Sequence, residues 1–400
     1  MRSVAALTWG FMGARLHSIN LFLAHALKFI TLKYNSVCDV YDFVTPGASP
    51  RDFRQPFDMY GVESSPSVSI RGVNGLEALS EEFFDELAAH DVLLVNIFHW
   101  GSVISRLKAK FPHIKVIYYI HSLLVCENAA CGGLSGERFA LDLKNQESLI
   151  AAADGVIFPS HAEADYARRL YGIKKPTTVV YPLPIIPARV LEEPDFLPSF
   201  VKRRAPLEER VDNRIKFVYI GRCVRQKGLE TLVDAFFKFF TRSNRKSLLT
   251  FVSDSNEIEE ISETLSDRAK GKFRFLQAQN AIHLIDWINS RKRYLEFLHS
   301  LLIQNSIVIA PSLYDPFNIA VYEALSFGIK TVVSRLAGVT ELLPDAHEGP
   351  CRLINPTSPL DAYLGMLQMA NAAAPNRGTV SFPITPEMSY EALFRFMVGA

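Results

Sequence analysis

What this sequence lacks narrows it first. Its net charge is only +1 over 400 residues, so no overall field draws it to nucleic acid. Any anion must be held by a few placed cations. Its five cysteines, Cys38, Cys126, Cys131, Cys223 and Cys351, are odd in number and irregularly spaced. That excludes a disulfide framework, offers no Cys-x-x-Cys pair for zinc, and reads as free buried thiols in a reducing compartment. No apolar run is long enough to span a bilayer; the best, "SINLFLAHALKFITL" from Ser18 to Leu32, is short and carries His25 and Lys28. The opening "MRSVAALTWGFMGA" is a short apolar run followed by a glycine turn, which reads as a first buried strand rather than a signal peptide. The expectation is a cytoplasmic chain, with peripheral membrane contact left open. No Asp-x-Asp element, low-complexity tract or short repeat occurs.

What is there is an ordinary globular composition, 48% hydrophobic and 21% charged, arranged as short apolar runs alternating with longer amphipathic ones. "DVLLVNIF" (Asp91 to Phe98), "KVIYYIH" (Lys115 to His121) and "DGVIFPS" (Asp154 to Ser160) read as buried parallel strands. "RFALDLKNQESLIAAA" and "HAEADYARRLYG" read as helices, the second closed by Gly172. Residues 43–80 are rich in Pro, Gly and Ser and read as loops. From Pro182 to Asn213 prolines and charges crowd together, the best candidate for a linker.

The alternation then restarts. Strand "IKFVYIG", helix "GLETLVDAFFKFF", strand "SLLTFVS", helix "EIEEISETLSDRA" and strand "KFRFLQA" precede a long helical stretch, Ile282 to Gln304. Strand "SIVIAPS", helix "NIAVYEALSFG" and strand "KTVVSR" follow. The fold class is therefore α/β, as two Rossmann-like doubly wound domains facing across a cleft. The division is 1–190 for the first domain, 191–213 for the linker, 214–378 for the second domain and 379–400 for a terminal helix.

Ligands of such sheets bind at the carboxyl ends of strands. After "FVYIG" comes "GRCVRQKG", which sets Arg222 and Lys227 in a loop entering a helix. This is either a solvated basic loop or, with the helix N–H groups, a seat for a diphosphate. After "IVIAPS" comes "LYDPFNIAVYEAL", with Asp315 and Glu323 eight residues apart. Asp315 is either a turn residue before proline or a hydroxyl acceptor; Glu323 is either a solvated helix position or the same. Gly10 and Gly13 suit a strand-to-helix turn or a close backbone approach to a ligand. His121 ends a strand, as a satisfied polar group or a site residue.

"GR-x4-KG" followed some ninety residues later by "PS-x2-DPF-x5-EA-x3-G" resembles the retaining glycosyltransferases of the B fold, the large family that includes sucrose-phosphate synthases. The likeness is specific from Arg214 to Glu341 and looser before it; the final "SYEALFRF" resembles that family's last helix, which crosses back to the first domain. The resemblance implies roles. Arg222 and Lys227 match the cations that grip the donor diphosphate, and Glu323 matches the glutamate on the ribose hydroxyls. Asp315 stands near the transferred sugar, where a glutamate is usual. Phe317, Asn318 and Ile319 match the segment whose N–H groups reach sugar and phosphate. His121 matches the histidine that closes over the donor sugar, and Gly10 and Gly13 the first glycine-rich loop. By position the donor base lies near Gln277 to Asn280.

The implied activity is metal-independent, anomer-retaining transfer of a sugar from a nucleoside-diphosphate sugar to a hydroxyl-bearing acceptor. The nucleotide sugar is a co-substrate, and no cofactor or metal is expected. No nucleic-acid partner is expected, and the oligomeric state is left open. Asp315 and Asn318, which replace the usual glutamate and glycine, keep two alternatives: a non-catalytic nucleotide-sugar-binding partner of an active transferase, or a nucleotide-sugar epimerase on the same fold.

Overall fold

The structure is a computed structural model that describes residues 2–9, 11, 18–44, 60, 62, 67–76, 79–133, 136–187, 214–254, 256–257, 261–288, 290–343, 349–373 and 380–399. Gly10, Gly13 and the proposed linker at 191–213 lie outside the described residues.

The first half builds strands β1 (Ser3–Trp9), β2 (Val37–Val44), β3 (Val68–Asn74), β4 (Val92–Val95), β5 (Lys115–Tyr119), β6 (Gly155–Phe158) and β7 (Thr177–Val179). Its helices are α1 (Ser18–Tyr34), α2 (Glu81–Ala88), α3 (Gly101–Lys110), α4 (Leu124–Cys131), α5 (Glu137–Ala152) and α6 (His161–Tyr171). The strands pair in parallel in the order β3-β2-β1-β4-β5-β6-β7. β4 and β6 are buried along their whole length, which is why their sequences are unbroken apolar runs.

The second half repeats the plan. β8 (Ile215–Ile220), β9 (Ser247–Ser253), β10 (Ile282–Asp286), β11 (Ile307–Ala310), β12 (Lys330–Ser334) and β13 (Cys351–Ile354) run in parallel in the order β10-β9-β8-β11-β12-β13. Its helices are α7 (Leu229–Arg242), α8 (Ile261–Thr264), α9 (Asp267–Ala278), α10 (Arg291–Ile303), α11 (Ile319–Ser326) and α12 (Pro359–Asn371). Strand order reverses between β1 and β4 and again between β8 and β11, so each sheet has a crevice at its carboxyl edge. The last helix, α13 (Pro386–Val398), buries Tyr390, Leu393 and Met397 in the first half's core, and Tyr390 OH donates to the Leu183 carbonyl at 2.6 Å.

Several local expectations are corrected. "KFRFLQA" lies within α9: its buried Phe273 and Leu276 continue the spacing set by Ala269, while Phe275 is exposed, so a helical period underlies the apparent alternation. The continuous helix expected over Ile282 to Gln304 is instead β10 and then α10, which Ser290 caps. Ser266, with extended backbone, divides the helix expected over 257–269. β3 forms inside the stretch read as loops. All five cysteines are free, but Cys126 and Cys131 are only half-buried: Cys126 packs at the margin of the first half's core and Cys131 lies against Gln226 of the loop after β8. Among the described residues no helix is long and apolar enough to cross a membrane.

Candidate active site

The crevice between β8 and β11 is where the basic loop and the acidic helix start meet. Gly221 follows β8 directly, and the Tyr219 hydroxyl donates to the Arg222 carbonyl at 2.5 Å, fixing the loop's first turn. A single 3-10 turn, Arg225–Lys227, then closes on Gly228 at φ 73°, which heads α7. A Cβ on Gly228 would stand 1.9 Å from the Pro311 carbonyl oxygen. The Gln226 carbonyl also accepts from Leu313 N at 2.8 Å, so the two loops lie back to back.

That contact brings Lys227 to Asp315. Lys227 Nζ donates to Asp315 Oδ2 at 2.8 Å; the same oxygen accepts from Asn318 Nδ2 at 2.8 Å and Ser312 Oγ at 3.2 Å. Asp315 is 5% exposed. A buried carboxylate needs such partners, and charge-assisted bonds are the strong ones. Asn318 caps α11 from the left-handed region, φ 72°, accepting from Val321 N at 3.1 Å. Phe317 is buried and its carbonyl accepts from Val339 N at 2.7 Å, while Ile319 begins the helix beside it. The acidic helix start therefore does hold something in this chain: the lysine of the neighbouring loop.

Arg222 is turned toward the first half of the chain. Its Nη2 donates to Glu127 Oε1 on α4 at 2.9 Å. Glu257 Oε2 accepts from Cys223 N at 2.9 Å and from Ser253 Oγ at 2.8 Å, bracing the same loop from behind.

Glu323 lies apart from this group. Both it and Arg291 are 3% exposed, and Arg291 Nη1 donates to Glu323 Oε1. Tyr294 lies beside the pair, and burial together with the nearby Glu323 charge raises its pKa well above the usual value. Among the described residues Arg291 Nε and Nη2 have no hydrogen-bond partner. The structure thus places Glu323 inside the protein, between α10 and α11. Gln277 to Asn280 fall at the amino end of β10, not at the carboxyl edge, because "KFRFLQA" is helical. Trp287 follows the carboxyl end of that strand instead.

On the facing sheet His121 stands just beyond β5. Its Nε2 lies 2.5 Å from Asn96 Oδ1; Asn96 Nδ2 donates to Thr8 Oγ1 at 3.5 Å, and Thr8 Oγ1 donates to Asn20 Oδ1 at 3.0 Å. Burial pushes the His121 pKa down to about 3. The ring is therefore neutral, with its proton on Nε2 and an acceptor at Nδ1.

The sequence reading missed the carboxylates that bridge the halves. Glu163 on α6 takes the Tyr314 hydroxyl at 2.5 Å and Leu123 N at 2.7 Å, and burial raises its pKa to about 7. Glu341 accepts from His161 N and Ala162 N, each at 2.8 Å, at the start of α6. Gly338 sits where a Cβ would be 2.0 Å from the Pro316 carbonyl and 2.7 Å from Ser160 Cβ. No spacing signals the bridges from Glu163 to Tyr314 and from Glu341 to the start of α6, since those partners lie more than 150 positions apart. Among the described residues no group of three or more His, Cys, Asp or Glu gathers as metal ligands would.

Comparison with known proteins adds an independent line. The family model "Glycosyl transferases group 1" matches residues 214–371, and "Glycosyltransferase Family 4" matches 38–183. An uncharacterized glycosyltransferase of Methanocaldococcus jannaschii is 28% identical over 139 residues, 34% of this chain and 32% of that protein. The match therefore spans about a third of that relative's length. The alpha-maltose-1-phosphate synthase of Mycobacterium tuberculosis is 23% identical over 283 residues, 68% of this chain and 67% of that one. Sucrose-phosphate synthase from Thermosynechococcus elongatus superposes with a TM-score of 0.65 at 18% identity, covering 98% of this chain and 95% of that one. Anabaena HepE in complex with UDP and glucose superposes with a TM-score of 0.66 at 14% identity, covering 100% and 96%.

Proposed function

The chain belongs to the group 1 glycosyltransferases of the B fold, and from that premise we propose that it transfers a sugar from a nucleoside-diphosphate sugar to a hydroxyl acceptor, with retention and without a divalent metal. One observation carries the reading: Lys227 and the head of α11 meet at the carboxyl edge between β8 and β11, with Arg222 at the start of the same loop. As the bond from sugar to diphosphate breaks, negative charge grows on the leaving oxygen. Fixed cations and helix N–H groups aimed at that charge lower the barrier.

Lys227 and Arg222 take the diphosphate in this reading, with the N–H groups of Phe317, Asn318 and Ile319 beside it. Asp315 orients Lys227 and lies toward the sugar. His121, neutral and offering Nδ1, accepts a sugar hydroxyl rather than donating a proton. The acceptor attacks from the leaving-group face, and a phosphate oxygen takes its proton. The first domain binds the acceptor and the second the donor. UDP and glucose occupy the Anabaena structure, which makes UDP-glucose the first donor to try. The names of the maltose-1-phosphate and sucrose-phosphate synthases make phosphorylated sugars the first acceptors.

Incubation with a panel of nucleotide sugars, with and without such acceptors, tests this. Nuclear magnetic resonance of the product reads the anomer. Donor-dependent product with retained configuration is expected; inversion removes the retaining assignment, and no consumption of any donor removes the activity.

The burial of Glu323 against Arg291 and Tyr294 favours one second reading, a non-catalytic partner of an active transferase, because the ribose position is then already filled by protein. Calorimetry that detects neither UDP nor GDP binding would support it.

A further inference from the structure

We propose that Glu127 occupies, in the donor-free chain, the place on Arg222 that a donor phosphate takes, and thereby sets the affinity of the donor site. The inference rests on the nucleoside-diphosphate reading above and concerns its phosphate position.

Three donors of the loop after β8 each meet a carboxylate. Lys227 Nζ has Asp315 at 2.8 Å, Cys223 N has Glu257 at 2.9 Å, and Arg222 Nη2 has Glu127 at 2.9 Å. The first two carboxylates belong to the same half of the chain as the loop. Glu127 alone arrives from the facing half, on α4.

α4 is docked for this contact along its length. Glu127 lies in its first turn, where a carboxylate is favoured, and its Oε2 accepts from Ser122 Oγ at 3.0 Å. At the far end the Cys131 thiol lies 3.7 Å from Gln226 Oε1, in hydrogen-bond range for sulfur. There Arg225 covers Gly132 so closely that a Cβ would stand 2.4 Å from its Nη1.

A carboxylate presents a guanidinium with the same pair of oxygens as one face of a phosphate. A diphosphate carries more charge and can displace it, but must do so against both the existing pair and repulsion from Glu127. The Arg222 side chain is more than half exposed, so solvent screens the pair and the competition is modest rather than prohibitive. Neutralising Glu127 removes both the competitor and the repulsion, and tightens phosphate binding.

The test is isothermal calorimetry on the full chain with pyrophosphate, UDP and GDP. It compares the native protein, Glu127→Gln and a control of equal net charge, Glu137→Gln, at an exposed position on α5. Glutamine keeps an acceptor for Ser122. The expected result is binding of pyrophosphate and at least one nucleotide roughly three- to tenfold tighter in Glu127→Gln, with no change in the control. Equal or weaker pyrophosphate binding by Glu127→Gln, or an equal gain in the control, overturns the proposal. Tighter pyrophosphate binding with no binding of either nucleotide supports this contact while removing the nucleotide reading. If Glu127→Gln does not fold, Glu127→Asp withdraws the carboxylate by one methylene, and the same gain, smaller, is expected; its absence overturns the proposal equally.

Discussion

The place of Lys227, in the loop that leads from a buried strand into a helix, was legible in the sequence. What the sequence did not show is its partner in the free chain. Asp315 became a buried acceptor through the contact of two loops that are distant in sequence, held by the close packing at Gly228 and the bond from Leu313 N to the Gln226 carbonyl. Lys227→Ala removes one cation from the leaving group and leaves Asp315 with Asn318 and Ser312 as donors. Turnover should fall roughly 10²- to 10³-fold, the range for one lost charge-stabilising group, while circular dichroism stays native. Turnover within twofold of native would remove Lys227 from the mechanism. Glu323 was equally legible as a helix carboxylate, yet its burial was not: Arg291 reaches it from a helix whose start the sequence reading had placed inside a longer one.

At the scale of elements, strands buried on both faces were the most readable, because nothing but an unbroken apolar run survives there. The errors fell where two periods coincide. In "KFRFLQA" alternate residues are apolar, but the packed set is Ala269, Phe273 and Leu276, so the tertiary contacts of α9 chose the helix. The start of α11 was read correctly at Asn318, though not its conformation. Asn318 holds a positive φ that asparagine tolerates and most residues do not, and its side chain both caps the helix and donates to Asp315. Asn318→Ala should lose about 2 kcal/mol, combining a lost cap with the left-handed backbone cost. Asn318→Gly relieves the backbone but gives up the same cap and the same bond to Asp315, so it should be the more stable of the two by about 1 kcal/mol. Urea unfolding of the two variants decides: equal midpoints would mean that the backbone conformation is not what asparagine supplies. Gly228→Ala should be costlier than Asn318→Ala by the same assay, since its Cβ meets the Pro311 carbonyl rather than a movable side chain.

At the scale of the whole molecule, alternation of strands and helices was enough to predict two doubly wound sheets, but nothing in one dimension shows how they face each other. That is decided by α13 packing on α1, and by Glu341 and Glu163 bridging to α6 and Tyr314. Glu163 makes the contact between the halves sensitive to pH. Burial is the main cause of its raised pKa; Glu127 and Asp315 add to it, and the bonds from Tyr314 and Leu123 N oppose it. Nearby Cys126 and Tyr171 are themselves held neutral by burial. With a folded pKa near 7 against 4.5 unfolded, the folded chain binds the extra proton in that window. Stability from this group is complete below pH 4.5, declines as pH rises and is lost once pH passes 7, about 3 kcal/mol in all at 1.36 kcal/mol per pH unit. Glu163→Gln carries the same acceptor for Tyr314 and Leu123 N without the charge. It should match the native protein near pH 4.5 and become the more stable of the two by pH 8. Denaturant unfolding at a series of pH values reads the difference directly. A gap between the two proteins that is flat with pH, or that widens toward acid, would mean that Glu163 is ionised in the folded chain, the bonds from Tyr314 and Leu123 N outweighing its burial.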